Sequence, residues 1–518
     1  MQDLKVIGLR TQPTGQGRRR RLRGDSLLWL VLVSVLFLAA ELTPPLLRMP
    51  LGADEITYIA RTSVHPSLIS LPPVHGQGVG LLAAPVTLLT NSLLAIRIWM
   101  SLLSATGLFL AMLCWRGLRP IWVLALAELI LASLAITQNS GVQIYPDWWG
   151  ALGVLALTGL FLHAVNATMS DRVVLPLIAV AGLLIALMRP QNVVFLMGPA
   201  ILAALVVRRW RKPKVLAAMG IGVAAGFLEW LAGAYLWFGG LSERIQLAGQ
   251  EPPPLHLYFA LGTQVRYLNG PWYCTPPYCN SWAVWEETPW WVAFLAAAAI
   301  GVWVAWRTKM KASSVLAAAT AVWVFVLYAF LVPFGAPRYL LPTFALMAIL
   351  AADAIVWAVT ESRRKKLAAI VACVFVLGGI ASQREILQHQ IADQDVGRQF
   401  QAQAAELRKM GIHAPCAMVN TSIAWYLGCS APWTTNGTND QVMDWFLEHR
   451  TPPGLKRWEV FEVPATAANV TLFGTELPVI YVPVNTPLPP HTGLIKAKSA
   501  MYPPTIIPDY AALQQPAS

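Results

Sequence analysis

Charge is what this sequence is short of. Only 12% of its 518 residues are Asp, Glu, Lys or Arg, against 56% hydrophobic residues and a mean hydropathy of +0.54. A soluble globular chain needs roughly 25% charged residues to solvate its surface. A water-soluble fold is therefore excluded, and the apolar residues fall in blocks long enough to cross a bilayer. Acidic residues are the scarcer sign, 26 against 38 Lys and Arg, which leaves a formal net charge of +12. That excess does not imply nucleic acid, because the basic residues stand in short runs between apolar blocks, where membrane topology demands them. The run from Arg18 to Arg23 is an RNA-binding arm only as a minor reading, beside its role of holding a first span inside. There is no convincing small-x-small cleavage site after it, so the apolar run Ser26–Leu42 reads as an uncleaved first helix rather than a signal peptide. Internal repeats are absent too, which argues against the repeat symmetry of many transporters.

What is present is a series of apolar blocks, and it predicts eleven spans: 26–43, 93–115, 121–137, 148–165, 173–188, 191–207, 215–237, 290–306, 313–332, 340–358 and 367–381. An odd number puts the two ends of the chain on opposite sides. Every basic cluster then falls on one side: the N-terminal arginines, Arg116 with Arg119, Arg172, Arg208–Lys214, Arg307–Lys311 and Arg363–Lys366. By the positive-inside rule that side is the cytoplasm. The expected organisation is a basic cytoplasmic segment over 1–25, a transmembrane domain over 26–381 and an extracytoplasmic domain over 382–518. The outer face would carry the loops 44–92 and 239–289 and the turns 138–147 and 333–339.

The tail changes composition. Ile391–Met410 has helical periodicity, residues 416–420 and the stretches WEVFEVP and VIYVPVN read as strands, and 421–429 reads as a helical turn, so a small α/β domain is expected. The proline-rich end from Pro487 reads as an irregular wrap. Cys274 and Cys279 share one outer loop, and Cys416 and Cys429 share the tail, so both pairs are disulfide candidates in an oxidising compartment. A zinc site is the rival for Cys274 and Cys279, but no second ligand pair accompanies them.

The chemistry concentrates in LGADEITYIARTSVHP (51–66), just after the first span. Asp54 and Glu55 are adjacent acids leading an amphipathic stretch that contains Tyr58 and Arg61; capping of an interfacial helix is the alternative reading. Arg338 and Tyr339 stand at the outer mouth of a late span, where a guanidinium fork could hold a phosphate or merely snorkel. Arg189, at the tip of a hairpin, and Arg97 are further phosphate candidates. Glu229 lies in the seventh expected span, about 8 Å below the surface at 1.5 Å per residue. A carboxylate there costs roughly 2.5–3.5 kcal/mol if it faces lipid, so it faces a cavity or pairs with an arginine. His75, in PPVHGQG, is a phosphate or acceptor contact or a solvated loop histidine.

In their order these motifs resemble those of the C-type (GT-C) membrane glycosyltransferases, whose relatives include protein O-mannosyltransferases and aminoarabinose transferases. The Asp-Glu pair follows the first span. An apolar interfacial helix follows at 78–89, then Ala95-Ile96-Arg97, then Asp147 in YPDWWG, Arg189-Pro190 in LMRPQN, and RYLLP at 338–342. The resemblance covers most of residues 26–360. It implies a polytopic α-helical GT-C-like fold and transfer of a sugar from a polyprenyl-phosphate donor to an extracytoplasmic acceptor in the membrane. Asp54 would be the base, with Glu55 or Asp147 positioning the acceptor or joining Asp54 around a divalent cation, Mg or Mn. Arg338, Tyr339, Arg189 and Arg97 would meet the donor phosphate, and Tyr58, His75 and Glu229 the acceptor or sugar. An inactive envelope scaffold and a transporter or lipid flippase are the competing classes. A bacterial envelope, with a decaprenyl- or undecaprenyl-phosphate donor, is the expected setting.

Overall fold

Without water, an apolar run can satisfy its backbone only as a helix or in a closed barrel. In the computed structural model all eleven expected segments are helical. The structure describes residues 26–64, 71–249, 257–270, 288–308, 310–332, 336–393, 396–413, 416–418, 420–431, 458–462, 479–483 and 495–496. Cys274, Cys279 and the proline-rich end apart from Ile495–Lys496 lie outside the described residues, as do residues 333–335 of the turn before Arg338.

Among the described residues eight helices are long and apolar enough to cross a membrane. The other three expected spans differ in form. Helix α1 (Leu28–Glu41) is shorter, at 14 residues, and the expected sixth span is a π-helical turn, Val193–Met197, running into a helix at Gly198–Val206. The expected third span is broken. After α2 (Ala53–Ile59), α3 (Gly78–Thr87) and α4 (Leu93–Leu113), the helix α5 (Ile121–Ser133) bends by 78° into α6 (Ala135–Val142). Much of the expected turn 138–147 is therefore helix, and the connection shortens to Gln143–Tyr145. The cause is close packing of α6 across the end of α1. A Cβ at Gly141 would overlap the buried Glu41 carboxylate, so a larger residue there would have to displace that side chain.

Two helices form the centre. In α7 (Pro146–Asn166) 94% of the apolar window is buried, and in the helix running from Pro337 to Glu361 the figure is 78%, against 28% for α8 (Pro213–Trp237). The central pair pack on each other and both begin at the same end of the bundle, in the turns that carry Asp147 and Arg338. At the other end Arg119 grips Asp353, Nε to Oδ2 at 2.8 Å, and donates to Ser313 and Ser314. Glu128 accepts from Ser34 of α1, a structural interhelix role.

The long helix α9 (Lys365–Asp393) runs through the boundary expected at 382 without a break. Beyond it come α10 (Val396–Lys409) and α11 (Thr421–Leu427). A sheet is formed by β1 (Ala417–Met418), β2 (Trp458–Glu462), β3 (Val479–Pro483) and β4 (Ile495–Lys496), antiparallel in the order β1-β3-β2-β4. Cys416 and Cys429 are joined by a disulfide that brackets α11. Helix α11 packs directly on α2, which carries Asp54.

One buried ion pair fixes the entry to α2. Arg97 Nη1 and Nη2 meet Glu55 at 2.5 and 2.9 Å, with both side chains almost fully buried. Removing one partner strands a buried charge, which costs roughly 3–5 kcal/mol, whereas replacing both by apolar groups costs far less. Thermal unfolding in detergent is expected to show a large loss for Arg97→Met and for Glu55→Leu. The double variant should lose much less than their sum; strict additivity would refute the assignment.

Candidate active site

At the start of α2 the adjacent acids part company. Glu55, at the third helical position, reaches back to the Gly52 N–H at 3.0 Å and points inward. One residue earlier is about 100° around the helix, and there Asp54 keeps its side chain 51% exposed. Glu55 also accepts from the Ile144 N–H at 2.8 Å. Arg97 donates to the carbonyls of Met49, Pro50 and Val142 besides its bond to Glu55. All the N–H groups of the Arg97 fork are thereby committed. The structure places Arg97, expected at a donor phosphate, and Glu55, expected at an acceptor or cation, against each other in a buried pair. The physical reason is that each saturates the other in a site closed to solvent.

Arg338, Arg189, Asp147 and Asp54 come together at the common end of the two central helices. Asp147, in the first turn of α7, is buried between the guanidinium groups. Its Oδ1 lies 3.4 Å from Arg189 Nη1 and its Oδ2 lies 3.3 Å from Arg338 Nε. Arg338 Nη2 lies 3.6 Å from Asp54 Oδ2. These separations exceed the roughly 2.7–2.9 Å of a closed charge-assisted bond. They contrast with 2.8 Å at Arg119 and 2.5 Å at Arg97. Tyr339 supports both cations: each guanidinium carbon lies 5.3 Å from its ring, and Tyr328 stacks behind it at 5.1 Å. Tyr145 lies 4.7 Å from the Arg338 guanidinium. The N-termini of the two central helices end here, which adds the positive ends of their dipoles.

Tyr58 and His75 form the adjoining wall. Tyr58 Oη lies 3.2 Å from His75 Nδ1, and the rings stack at 5.3 Å. Burial, then the positive charges of Arg189, Arg338 and Arg244, hold the imidazole pKa well below its ordinary value. Burial also raises the Tyr58 phenol, so both groups are neutral at pH 7.

Arg244, which sequence reasoning missed, anchors this wall. It is buried, donates to the carbonyls of Pro73 (2.9 Å), His75 (2.8 Å) and Trp230 (2.5 Å), and lies 4.3 Å from the Trp230 ring. The sole sequence signal was a helical LSERIQ stretch in an outer loop. Glu229 accepts from the Gln77 N–H at 3.1 Å, so it holds the same loop and is not aimed at the arginine cluster by that contact. Among the described residues no group of three His, Cys, Asp or Glu could hold a metal. The sequence leaves open whether a cation is used; Asp54, Glu55 and Asp147, which would hold it, each face a guanidinium, so this donor set does not fit a divalent ion.

No family model matches the chain, and no curated protein does. Its fold is similar to that of solved structures of ArnT from Cupriavidus metallidurans. With the structure bound to undecaprenyl phosphate the TM-score is 0.59 at 12% identity, covering 89% of this chain and 99% of that one. With the apo structure it is 0.56 at 13% identity, covering 88% and 97%. The chain shares the multi-helical membrane fold of these two structures.

Proposed function

We propose that this chain is a glycosyltransferase that takes a sugar from a polyprenyl-phosphate donor at the outer membrane face. The observation that carries the reading is the pair of loosely held buried guanidinium groups, Arg189 and Arg338, beside the exposed carboxylate of Asp54. Two buried like charges gathered around Asp147 are held at a cost, and their planar forks match the oxygens of a phosphate. The fold neighbour bound to undecaprenyl phosphate supports a lipid-linked donor.

The roles divide by geometry. Arg338 and Arg189 bind the donor phosphate and stabilise the charge that grows on it, with Tyr339 beneath them and Asp147 setting their spacing. Asp54 takes the proton from the acceptor hydroxyl as its oxygen attacks the anomeric carbon. The bond from that carbon to the phosphate oxygen breaks, its electron pair stays on the phosphate, and the lipid phosphate leaves. Direct displacement inverts the anomeric carbon. Glu55 and Arg97 are positioning residues that hold α2, and Tyr58 and His75 line the sugar side. An extracytoplasmic acceptor and a bacterial envelope setting belong to the same proposal.

Sugar transfer in membranes supplied with radiolabelled polyprenyl-phosphate sugars tests this directly. Asp54→Asn is expected to lower the rate by about 10²–10⁴-fold, the usual worth of a positioned base. Arg338→Lys keeps the charge but loses the fork, and should lower it by about 10²–10³-fold. Full transfer in Asp54→Asn would overturn the base assignment.

The neutral imidazole sets a pH limit. Because the folded pKa of His75 lies below the unfolded value of about 6.5, its contribution to stability is present above that pH and is lost as the pH falls towards the folded pKa. Melting temperature should therefore drop on acidification below about pH 6.5. His75→Gln should flatten that drop; an unchanged profile in the variant would show that other groups cause it.

A further inference from the structure

A cleft lies between the tail and the first outer loop. It holds about 230 Å³ and is lined by Leu51, Asn91, Leu93, Gln401, Trp425 and Tyr426. Each side of it is anchored. Arg97 grips the carbonyls of Met49 and Pro50 ahead of Leu51, and Gly397 of the tail packs closely against Pro50. Ser92, between Asn91 and Leu93, caps α4 by accepting from the Ala95 N–H. Trp425 and Tyr426 are consecutive on α11, which the Cys416–Cys429 disulfide brackets.

The geometry points to this cleft as a binding site for one sugar unit of the acceptor, away from the bond being formed. The inference rests on the glycosyltransferase reading and names its acceptor class as a saccharide. Four observations favour that occupant. The lining has no charged side chain, so nothing in it selects a phosphate or an acidic headgroup. Asn91 and Gln401 each present a donor and an acceptor, which matches a hydroxyl group at both of its functions. Trp425 and Tyr426 add aromatic surface for the apolar C–H face of a sugar ring, with a polar handle on Tyr426. The Tyr426 hydroxyl lies against the Leu51 backbone and the Gln401 side chain, so the aromatic and amide sides of the cleft meet at a polar edge. The volume is below the roughly 300 Å³ at which drug-sized sites begin, which suits one ring rather than a chain.

Position links the cleft to the transfer point. Leu51 precedes Asp54 by three residues, and three residues of chain reach at most about 10–11 Å. A sugar seated against Leu51 can therefore present the next unit of the same acceptor to Asp54, and the tail is the element that completes the site.

The test uses the full-length protein in nanodiscs, titrated with disaccharides of mannose, galactose, glucose and arabinose by saturation-transfer NMR. At least one disaccharide class is expected to bind the wild type. Its Kd should rise tenfold or more in Asn91→Ala/Gln401→Ala and in Tyr426→Leu, and by much less in Asp54→Asn. Retained binding of undecaprenyl phosphate by the cleft variants checks that they are folded. No binding of any disaccharide to the wild type, or binding that survives both cleft variants, overturns the proposal. Binding abolished by Asp54→Asn instead also overturns it, by placing the sugar at the transfer point. Disaccharide binding in the cleft by a wild type that transfers no sugar from any polyprenyl-phosphate donor would leave this site standing and sink the enzymatic reading.

Discussion

The Arg97–Glu55 ion pair is the constraint on which the Asp54 end of the bundle depends. Through the carbonyls of Met49, Pro50 and Val142 it ties the exit of the first helix to the end of α6, and through Glu55 it sets the start of α2. Asp54 is then turned outward because Glu55 is turned inward. Adjacent acids on a helix cannot share a direction. Making one of them a buried anchor is what leaves its neighbour exposed.

Two kinds of buried arginine follow. Arg97, Arg119 and Arg244 are closed by short bonds and hold loops and helix ends in place. Arg189 and Arg338 are set 3.3–3.6 Å from their carboxylates and gather where two helix N-termini meet. The first kind accounts for rigidity, and the second is the one on which the proposed phosphate binding rests. Burial alone separates neither, since all five guanidinium groups are shielded from water.

Much of this was legible in the sequence. Helical segments could be read because a spanning run needs about twenty apolar residues, and the strand at Val479–Pro483 because β-branched residues cluster there. Asp54, Asp147, Arg189 and Arg338 stood out as charges beside apolar blocks, and they do converge. The division of labour was not legible. Arg97 and Arg338 look alike as residues at helix starts, and only three-dimensional partners reveal that one is saturated. The 78° break after Ser133 carries no proline or glycine at its hinge; it arises from α6 packing against Glu41 through Gly141. Arg244 was hidden because its partners are carbonyls, which any sequence supplies.

That last point bears on how such a fold persists through divergence. A guanidinium that grips main-chain oxygens makes no demand on the side chains of the loop it holds. Arg97 and Arg244 fix six carbonyls between them, from Met49, Pro50, Val142, Pro73, His75 and Trp230. The residues bearing those carbonyls can drift freely while the backbone path stays put. These two arginines thus act on the part of the polymer that substitution does not change.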